Sequence, residues 1–221
     1  MNPQRKFGAI ICDIGNVLLK VSFAKTDEVM AKLTGLELDV LIKTLFTSPE
    51  AREMWRKSQV GETNLEEFCD EVLILLDISK KEIPHKKLKQ SLTSSGRKNP
   101  EIWELLEVFV EVNPNIVRAI ISNNTPLYKE SGQRLMPKLY TFFSPENIIM
   151  SHEVGMMKPD PAIFTFTSQK IGVAIANSIL IDDNTENVER FREMGGVAIQ
   201  YDCSKNSIMF LWKELHKLGL M

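Results

Sequence analysis

Apolar positions along this chain follow two different spacings. A continuous apolar run over residues 7–12 ends at Asp13 and is typical of a buried strand. From about Ser22 to Thr93 the apolar residues recur at helical spacing, and after that short runs of branched residues alternate with helical segments. The pattern therefore predicts a sheet-forming region that is interrupted near its start by a long helical block.

The segments after the helical block predict a parallel sheet. Further strands are predicted over residues 116–122, 148–151, 179–182 and 197–201. Helices are predicted over residues 100–112 and from starts near Pro126, Asp160 and Thr185. Because strands and helices alternate, the expected fold class is α/β, a Rossmann-like parallel sheet flanked by helices.

The same pattern predicts two domains. Residues 1–20 and 95–221 are expected to form the α/β core domain. Residues 21–94 are expected to form an all-helical domain inserted into it. Within this insertion, Ser48 and Pro49 predict a capped helix start. The segment 63–66 has the spacing of a capping box between its threonine and its glutamate, which predicts a second helix start.

Composition and charge exclude several classes of protein. The chain has 221 residues, of which 43% are hydrophobic and 25% charged, close to the averages for soluble globular proteins. Its net charge of −2 offers no basic field, so no nucleic-acid partner is expected, whereas small anionic ligands are compatible with it. The first apolar run is too short for a signal peptide or a membrane span, so we expect a cytoplasmic protein without a membrane partner.

Carboxylates stand at the ends of two predicted strands. Asp13 follows the first strand, and Asp182 and Asp183 close the strand 179–182. Buried carboxylates are costly unless they are paired or bind a metal, and two adjacent ones repel each other. Oxygen ligands of this kind suit Mg²⁺. These residues therefore predict a magnesium site, although capping of the following helix is a simpler alternative for the adjacent pair.

Two further polar segments are expected at the same edge of the sheet. Ser122 and Asn123 follow a predicted strand and precede a helix start, an arrangement that offers a hydroxyl, an amide and backbone N–H groups to an anion. A plain capped helix start is the competing interpretation. Lys158 lies just before Pro159 in a restricted turn, from which its ammonium group could neutralise the carboxylates and an incoming phosphate.

Four short motifs carry a resemblance to a known family. They are Asp-Ile-Gly-Asn-Val at 13–17, Ile-Ser-Asn at 121–123, Lys-Pro-Asp at 158–160 and Ile-Asp-Asp-Asn at 181–184. In this order they resemble the motifs of the haloacid dehalogenase-like (HAD) hydrolase superfamily. The helical block resembles the mobile cap domain of its first class. The first motif is similar to an Asp-x-Gly-Asn-Val branch that includes a bacterial glucose-1-phosphate phosphatase and resembles the phosphatase domain of soluble epoxide hydrolase.

The resemblance implies a magnesium-dependent phosphatase of small phosphomonoesters, sugar phosphate-like, whose partner is a small phosphorylated metabolite. It implies that Asp13 is the nucleophile and forms an aspartyl-phosphate. Lys158 would balance charge and position the nucleophile. Ser122 and Asn123 would hold the phosphoryl oxygens.

The resemblance also implies a set of Mg²⁺ ligands. Asp13 and Asp183 would bind the ion directly, together with the backbone carbonyl of Gly15. Asp182 would be either a further ligand or an outer partner. Mg²⁺ would relieve the repulsion between the nucleophile and the phosphate.

Gly15 departs from the family pattern. Most phosphatases of the superfamily carry there an aspartate that acts as general acid and base, which is typically worth about 10² to 10⁴ in rate. We therefore expect a substrate with a good leaving group or its own proton donor. Two alternatives stay open. One is a catalytically weak or inactive binding or regulatory protein, and the other is a 2-haloacid dehalogenase, which needs neither the acid nor a metal.

Two other groups are candidates for contact with the substrate. Trp55 stands among the cations Arg52, Arg56 and Lys57 in the helical block, where it could meet the organic part of a ligand. An amphipathic helix with a packed tryptophan and solvated cations is the competing interpretation. His152, in the segment before Lys158, could line the cleft.

Overall fold

The structure, a computed structural model, describes residues 7–128, 132 and 134–221. Its centre is a five-stranded parallel sheet. The strands are β1 (Ala9–Cys12), β4 (Val117–Ser122), β5 (Ile148–Met150), β6 (Ser178–Asp182) and β7 (Val197–Gln200), in the spatial order β5-β4-β1-β6-β7. Two short strands, β2 (Leu19–Val21) and β3 (Gly96–Lys98), form a separate antiparallel pair. The predicted parallel α/β sheet is confirmed, with strand ends within one or two residues of those expected.

Helices lie in two sets. Those between β2 and β3 are α1 (Phe23–Thr34), α2 (Leu38–Ile42), α3 (Pro49–Gln59), α4 (Leu65–Leu75) and α5 (His85–Leu92), with a π-helical turn at Lys43–Thr47. Those that follow β3 are α6 (Pro100–Val112), α7 (Leu139–Phe142), α8 (Ser151–Val154), α9 (Pro161–Ile171), α10 (Thr185–Glu193) and α11 (Ile208–Lys217). Among the described helices, none has the length and apolarity that crossing a membrane requires.

The hydrophobic core is divided in a way that matches the two sets of helices. One cluster, which includes Ile10 and Phe109, covers one face of the sheet, and a second, which includes Ile11 and Phe164, covers the other. A third cluster lies almost wholly within α1–α5 and centres on Phe68 and Leu88. This separate apolar cluster supports the expected division at residues 21–94, which stays a prediction.

Capping residues explain where several helices begin. Ser48 accepts a hydrogen bond from the backbone of Ala51, as predicted for the start of α3. The capping box of α4 is shifted by one residue from the predicted one, because Asn64 is the N-cap and Glu67 closes the box. Both registers contain a capping residue and a glutamate three positions later, and the apolar face of α4 selects between them.

Two predicted segments differ from the structure. The helix expected to begin near Pro126 starts as a 3-10 turn, Pro126–Tyr128, and its continuation falls largely on residues 129–131 and 133, outside the described residues. Ser151, which was predicted to end a strand, begins α8 instead. His152 therefore lies on a short helix beside the sheet edge.

Candidate active site

Strand pairing brings three carboxylates together. Cys12 is level with Ile181 in the pairing of β1 with β6, and the backbone N–H of Asp13 donates to the carbonyl of Ile181 at 2.9 Å. The two strands therefore end side by side, with Asp13 directly after one of them and Asp182 and Asp183 at the end of the other. Oxygen atoms from these three side chains lie within 4.8 Å of one another. The predicted carboxylate cluster is thus present in the fold.

Lys158 joins two of these carboxylates. Its Nζ lies 2.9 Å from Oδ1 of Asp13 and 2.5 Å from Oδ2 of Asp182, and its side chain is only 1% exposed. Burial disfavours the charged ammonium, but the two aspartates outweigh it and raise the pKa of Lys158 above its usual value. Burial also raises the pKa of Asp13, to about 6, against the opposing effect of Lys158. Lys158 is therefore a fixed positive charge at neutral pH.

The amide of Asn123 holds the backbone of Lys158. Its Nδ2 donates to the carbonyl oxygen of Lys158 at 2.7 Å, and its Oδ1 accepts from the backbone N–H of the same residue at 2.8 Å. This pair of hydrogen bonds to one residue fixes the turn before α9 against the end of β4. The Asn123 side chain thus positions Lys158, and the contact of Ser122 and Asn123 with an anion stays a prediction. Ser122 is buried and lines the adjacent cavity.

Asp182 and Asp183 have different surroundings. Asp182 is fully buried: its Oδ2 pairs with Lys158, and its Oδ1 accepts from the backbone of Asn184 at 2.9 Å and from Nδ2 of Asn187 at 3.0 Å. Asp183 is half-buried, which raises the pKa of its carboxyl group above the usual value. Since both oxygens of Asp182 are already occupied, it suits the role of an outer partner better than that of a direct metal ligand.

Asn16 orients Asp183, a role that the sequence did not reveal. Its Nδ2 donates to Oδ2 of Asp183 at 3.1 Å, and its Oδ1 accepts from the backbone of Val21 at 3.1 Å. Its φ of 51° lies in the left-handed region, which asparagine tolerates better than most residues. The signal was available in the motif at 13–17, where an asparagine follows Gly15 in the loop after β1.

Gly15 leaves room for a side chain. Its φ is outside the left-handed region, and a Cβ built on it would lie 3.9 Å from Oδ2 of Asp13, an ordinary contact distance. Steric crowding around the Cβ position therefore does not explain why residue 15 is a glycine.

A cavity of about 440 Å³ opens beside the carboxylates. Gly15, Ser122 and Asn123 are among the residues that line it from the core, and Phe46 and Trp55 line it from the helical block. Since Gly15 lines the cavity and its Cβ position is 3.9 Å from Oδ2 of Asp13, the cavity extends to the neighbourhood of that carboxylate. The size is within the range of roughly 300–1,000 Å³ for small-molecule sites.

Two of the three cations near Trp55, Arg52 and Arg56, make contacts away from the cavity. Arg56 pairs with Glu53 and Glu62, and Arg52 donates to the backbone carbonyl of Thr47. Trp55 itself donates from Nε1 to the carbonyl of Leu45 at 2.7 Å. The packed tryptophan of the competing interpretation is thus observed, and its ring also lines the cavity.

The helical block touches the core at one tight backbone contact. Gly61, in the loop after α3, has a φ of +72°, and a Cβ on it would lie 2.3 Å from the carbonyl oxygen of His152. Only a glycine therefore fits this approach. The imidazole of the same histidine lines the cavity, and its Nδ1 is 2.9 Å from the carbonyl oxygen of Asn124.

Comparison with solved structures decides which fold this is. No family model matches the sequence. A HAD-family enzyme of Bacteroides thetaiotaomicron, in complex with magnesium and inorganic phosphate, superposes with a TM-score of 0.73 at 17% identity, over 90% of this chain and 96% of that one. A predicted HAD-like hydrolase of Porphyromonas gingivalis superposes with a TM-score of 0.77 at 18% identity, over 95% and 98% of the two chains. The chain has the haloacid dehalogenase-like fold.

The HAD-like fold also includes enzymes of different chemistry. The L-2-haloacid dehalogenase of Xanthobacter autotrophicus, with chloropropionic acid covalently bound, has a TM-score of 0.64 at 14% identity, over 97% of this chain and 84% of that one. Fold similarity at these identities does not choose between phosphoester and carbon–halogen bonds. The choice has to come from the side chains at the carboxylate cluster.

Proposed function

We propose that this protein is a magnesium-dependent phosphatase that hydrolyses small phosphomonoesters through an aspartyl-phosphate on Asp13. The observation that carries the proposal is the charge balance of the site. Three carboxylates lie together in largely buried surroundings, and the ammonium group of Lys158 pairs with only two of them, Asp13 and Asp182. A divalent cation with oxygen ligands would offset the excess negative charge.

The donor atoms fit Mg²⁺. Asp13 and Asp183, with the backbone carbonyl of Gly15, are the residues that would hold it. Asp182 would not bind the ion directly, because its carboxylate pairs with Lys158 and accepts a hydrogen bond from Asn187. When bound, the ion would neutralise charge between the carboxylates and the phosphoryl group. Asn16 would keep the Asp183 carboxylate in place.

Side chains of the protein carry out the nucleophilic attack and hold the phosphoryl group. A carboxylate oxygen of Asp13 attacks phosphorus, the P–O bond to the leaving group breaks, and the alkoxide departs with the electron pair and takes a proton from water. A second water then hydrolyses the acyl phosphate to free Asp13 and inorganic phosphate. Lys158 fixes the orientation of Asp13 through the 2.9 Å contact. Ser122 and the backbone at Asn123 are the groups that would contact the phosphoryl oxygens.

A dehalogenase is the second candidate, because Gly15 supplies no acid for an alcohol leaving group and a departing halide needs none. The third carboxylate argues against it, since metal-independent displacement does not require Asp183. Turnover of p-nitrophenyl phosphate with Mg²⁺, and its loss with EDTA, supports the phosphatase. Release of chloride from 2-chloropropionate in the presence of EDTA would instead establish the dehalogenase.

Magnesium is expected to stabilise the protein. At a concentration 100 times Kd, binding adds about 2.7 kcal/mol to the free energy of unfolding, which raises Tm by roughly 5–10 °C for a domain of this size. The shift, measured by differential scanning calorimetry, should disappear in Asp183→Asn and persist in Glu186→Gln, an exposed acid in the first turn of α10. An equal shift in both variants would show that the ion binds elsewhere.

Gly15→Asp is expected to increase turnover selectively. A Cβ at this position meets only ordinary contact distances, and a carboxyl group there could protonate the departing alkoxide, so kcat/KM should rise by about 10² to 10⁴ for substrates with poor leaving groups. Substrates with good leaving groups should change little. The measurement is a Brønsted series of phosphomonoesters with graded leaving-group pKa, and an equal effect across the series would exclude a missing general acid.

Gly61→Ala is expected to disturb closure of the helical block, which we propose acts as a cap over the cleft. A Cβ cannot stand 2.3 Å from the carbonyl oxygen of His152, so the two backbones must separate. Misplacement of catalytic geometry by about 1 Å can cost about 10²-fold in rate. Gly35→Ala is the matched control, since Gly35 has a similar φ of +74° with nothing within 4 Å. Equal kcat/KM in the two variants would contradict the proposed closure.

A further inference from the structure

The lining of the cavity is mainly apolar. Most of its described residues are aliphatic or aromatic, with side chains from both the helical block and the core, such as Leu19, Phe23, Phe46, Trp55 and Ile148. Among the described residues that line it, none is a lysine or an arginine, and the one carboxylate belongs to Glu153. The described part of the lining therefore offers mainly apolar surface and no lysine or arginine side chain.

This lining disfavours highly polar organic groups. A second phosphate or a carboxylate on the ligand would be desolvated without a cationic partner and would face Glu153. Polar side chains such as Gln59, Thr93 and Ser95 also line the cavity and could serve some hydroxyl groups of a sugar, but a hydroxyl against the larger apolar part would be buried without a partner, which is costly. The lining thus favours an apolar organic group over the sugar phosphate-like group that the sequence resemblance implied, which stays a prediction.

Aromatic rings form a fixed wall on the side of the helical block. The rings of Phe46 and Trp55 are stacked, with centroids 6.0 Å apart and an interplanar angle of 17°. Trp55 and Phe68 pack edge to face, with centroids 4.9 Å apart. The hydrogen bond from Trp55 to Leu45 fixes the indole. Phe23, also in the lining, is 59% exposed in this structure. A flat apolar ligand would cover such surfaces well.

We infer that the substrates are aryl phosphates, monoesters of uncharged phenols whose rings occupy this cavity. The inference rests on the proposed phosphatase function and specifies its substrate class. Asp13 forms a bond to phosphorus while the P–O bond to the ring oxygen breaks, and the phenolate leaves with the electron pair and takes a proton from water. A second water hydrolyses the acyl phosphate, so that ester and water give phenol and inorganic phosphate. Phenolates leave without strong acid assistance, which fits Gly15.

The test compares substrates that differ in one property at a time. With Mg²⁺ present, kcat/KM for 2-naphthyl phosphate should exceed by about 10- to 100-fold that for a naphthyl phosphate with a sulfonate on the distal ring. The charged sulfonate would prevent that ring from being buried in the apolar cavity. Acetyl phosphate, which has a good leaving group and no ring, reports the phosphatase chemistry alone. Glucose 1-phosphate should be a poor substrate.

Variants locate the effect in the cavity. Phe23→Ala should lower kcat/KM for 2-naphthyl phosphate about tenfold more than it lowers kcat/KM for acetyl phosphate. Phe210→Ala, which removes an exposed phenylalanine from the terminal helix, should change neither. Competitive inhibition of acetyl phosphate turnover by 2-naphthol gives a readout that does not depend on hydrolysis of an ester.

The outcomes separate the two proposals. If acetyl phosphate is hydrolysed and 2-naphthyl phosphate is not preferred over its sulfonate, the substrate class is wrong and the phosphatase function stands. If no phosphate ester or acyl phosphate is hydrolysed in the presence of Mg²⁺, both are wrong. A preference for the apolar ester that disappears in Phe23→Ala supports the assignment.

Discussion

Replacing Asp13 with asparagine should lower the turnover of p-nitrophenyl phosphate by about 10⁴-fold or more, the scale of losses seen when a catalytic nucleophile is removed. An amide oxygen is a poor nucleophile, so the first bond to phosphorus does not form. The substitution keeps the size of the side chain and leaves Lys158 paired with Asp182 at 2.5 Å, so the fold should persist. Steady-state kinetics with Mg²⁺, together with a circular dichroism spectrum, would measure both properties.

Asp202→Asn is the matched control for that experiment. Asp202 is also a largely buried aspartate at the same edge of the sheet, two residues after β7, where it pairs with Lys205 and accepts hydrogen bonds from Ser204. Its loss should reduce turnover far less than the loss of Asp13. Comparable activity in the two variants would remove the nucleophile from the proposed mechanism.

Lys158→Met should destabilise the protein strongly. Removing the ammonium leaves Asp13 and Asp182 as uncompensated charges in a site where the Asp182 side chain is 0% exposed. Breaking a buried ion pair in this way costs roughly 3–5 kcal/mol, which corresponds to a fall in Tm of roughly 6–20 °C for a domain of this size. Thermal and urea unfolding without metal would measure the loss.

Two comparisons separate the buried charge from other causes. Lys205→Met removes a surface lysine that is 79% exposed, and it should cost less than about 1 kcal/mol. The double variant with Lys158→Met and Asp182→Asn should recover part of the stability, because one of the uncompensated charges is gone. Strictly additive losses in the double variant would show that Lys158 does not act through Asp182.

The strand ends were the most predictable part of this site. Neighbouring parallel strands have their carboxyl ends at the same edge of the sheet. Carboxylates that follow two apolar runs therefore lie close together when the two runs are neighbouring strands. Asp13 follows β1, Asp182 ends β6, and their strands pair directly. The predicted α/β sheet followed from the same alternation of elements.

Roles that depend on loop geometry were less accessible. An asparagine after a strand can contact an anion, cap a helix or hold another backbone, and only the folded turn assigns Asn123 to Lys158. Asn16 acts on a residue 167 positions away, a pairing that no local pattern contains. The apolar cavity likewise arises from surfaces of the helical block and the core that are remote in sequence.

Chemical trapping of the intermediate tests the central claim most directly. An acid quench during turnover of p-nitrophenyl phosphate with Mg²⁺, followed by borohydride reduction, converts an aspartyl-phosphate to homoserine, which mass spectrometry can locate in the peptide. We expect homoserine at position 13 in the native protein and none in Asp13→Asn. Homoserine at another residue would contradict the account. So would turnover without any homoserine under conditions in which acyl phosphates are trapped.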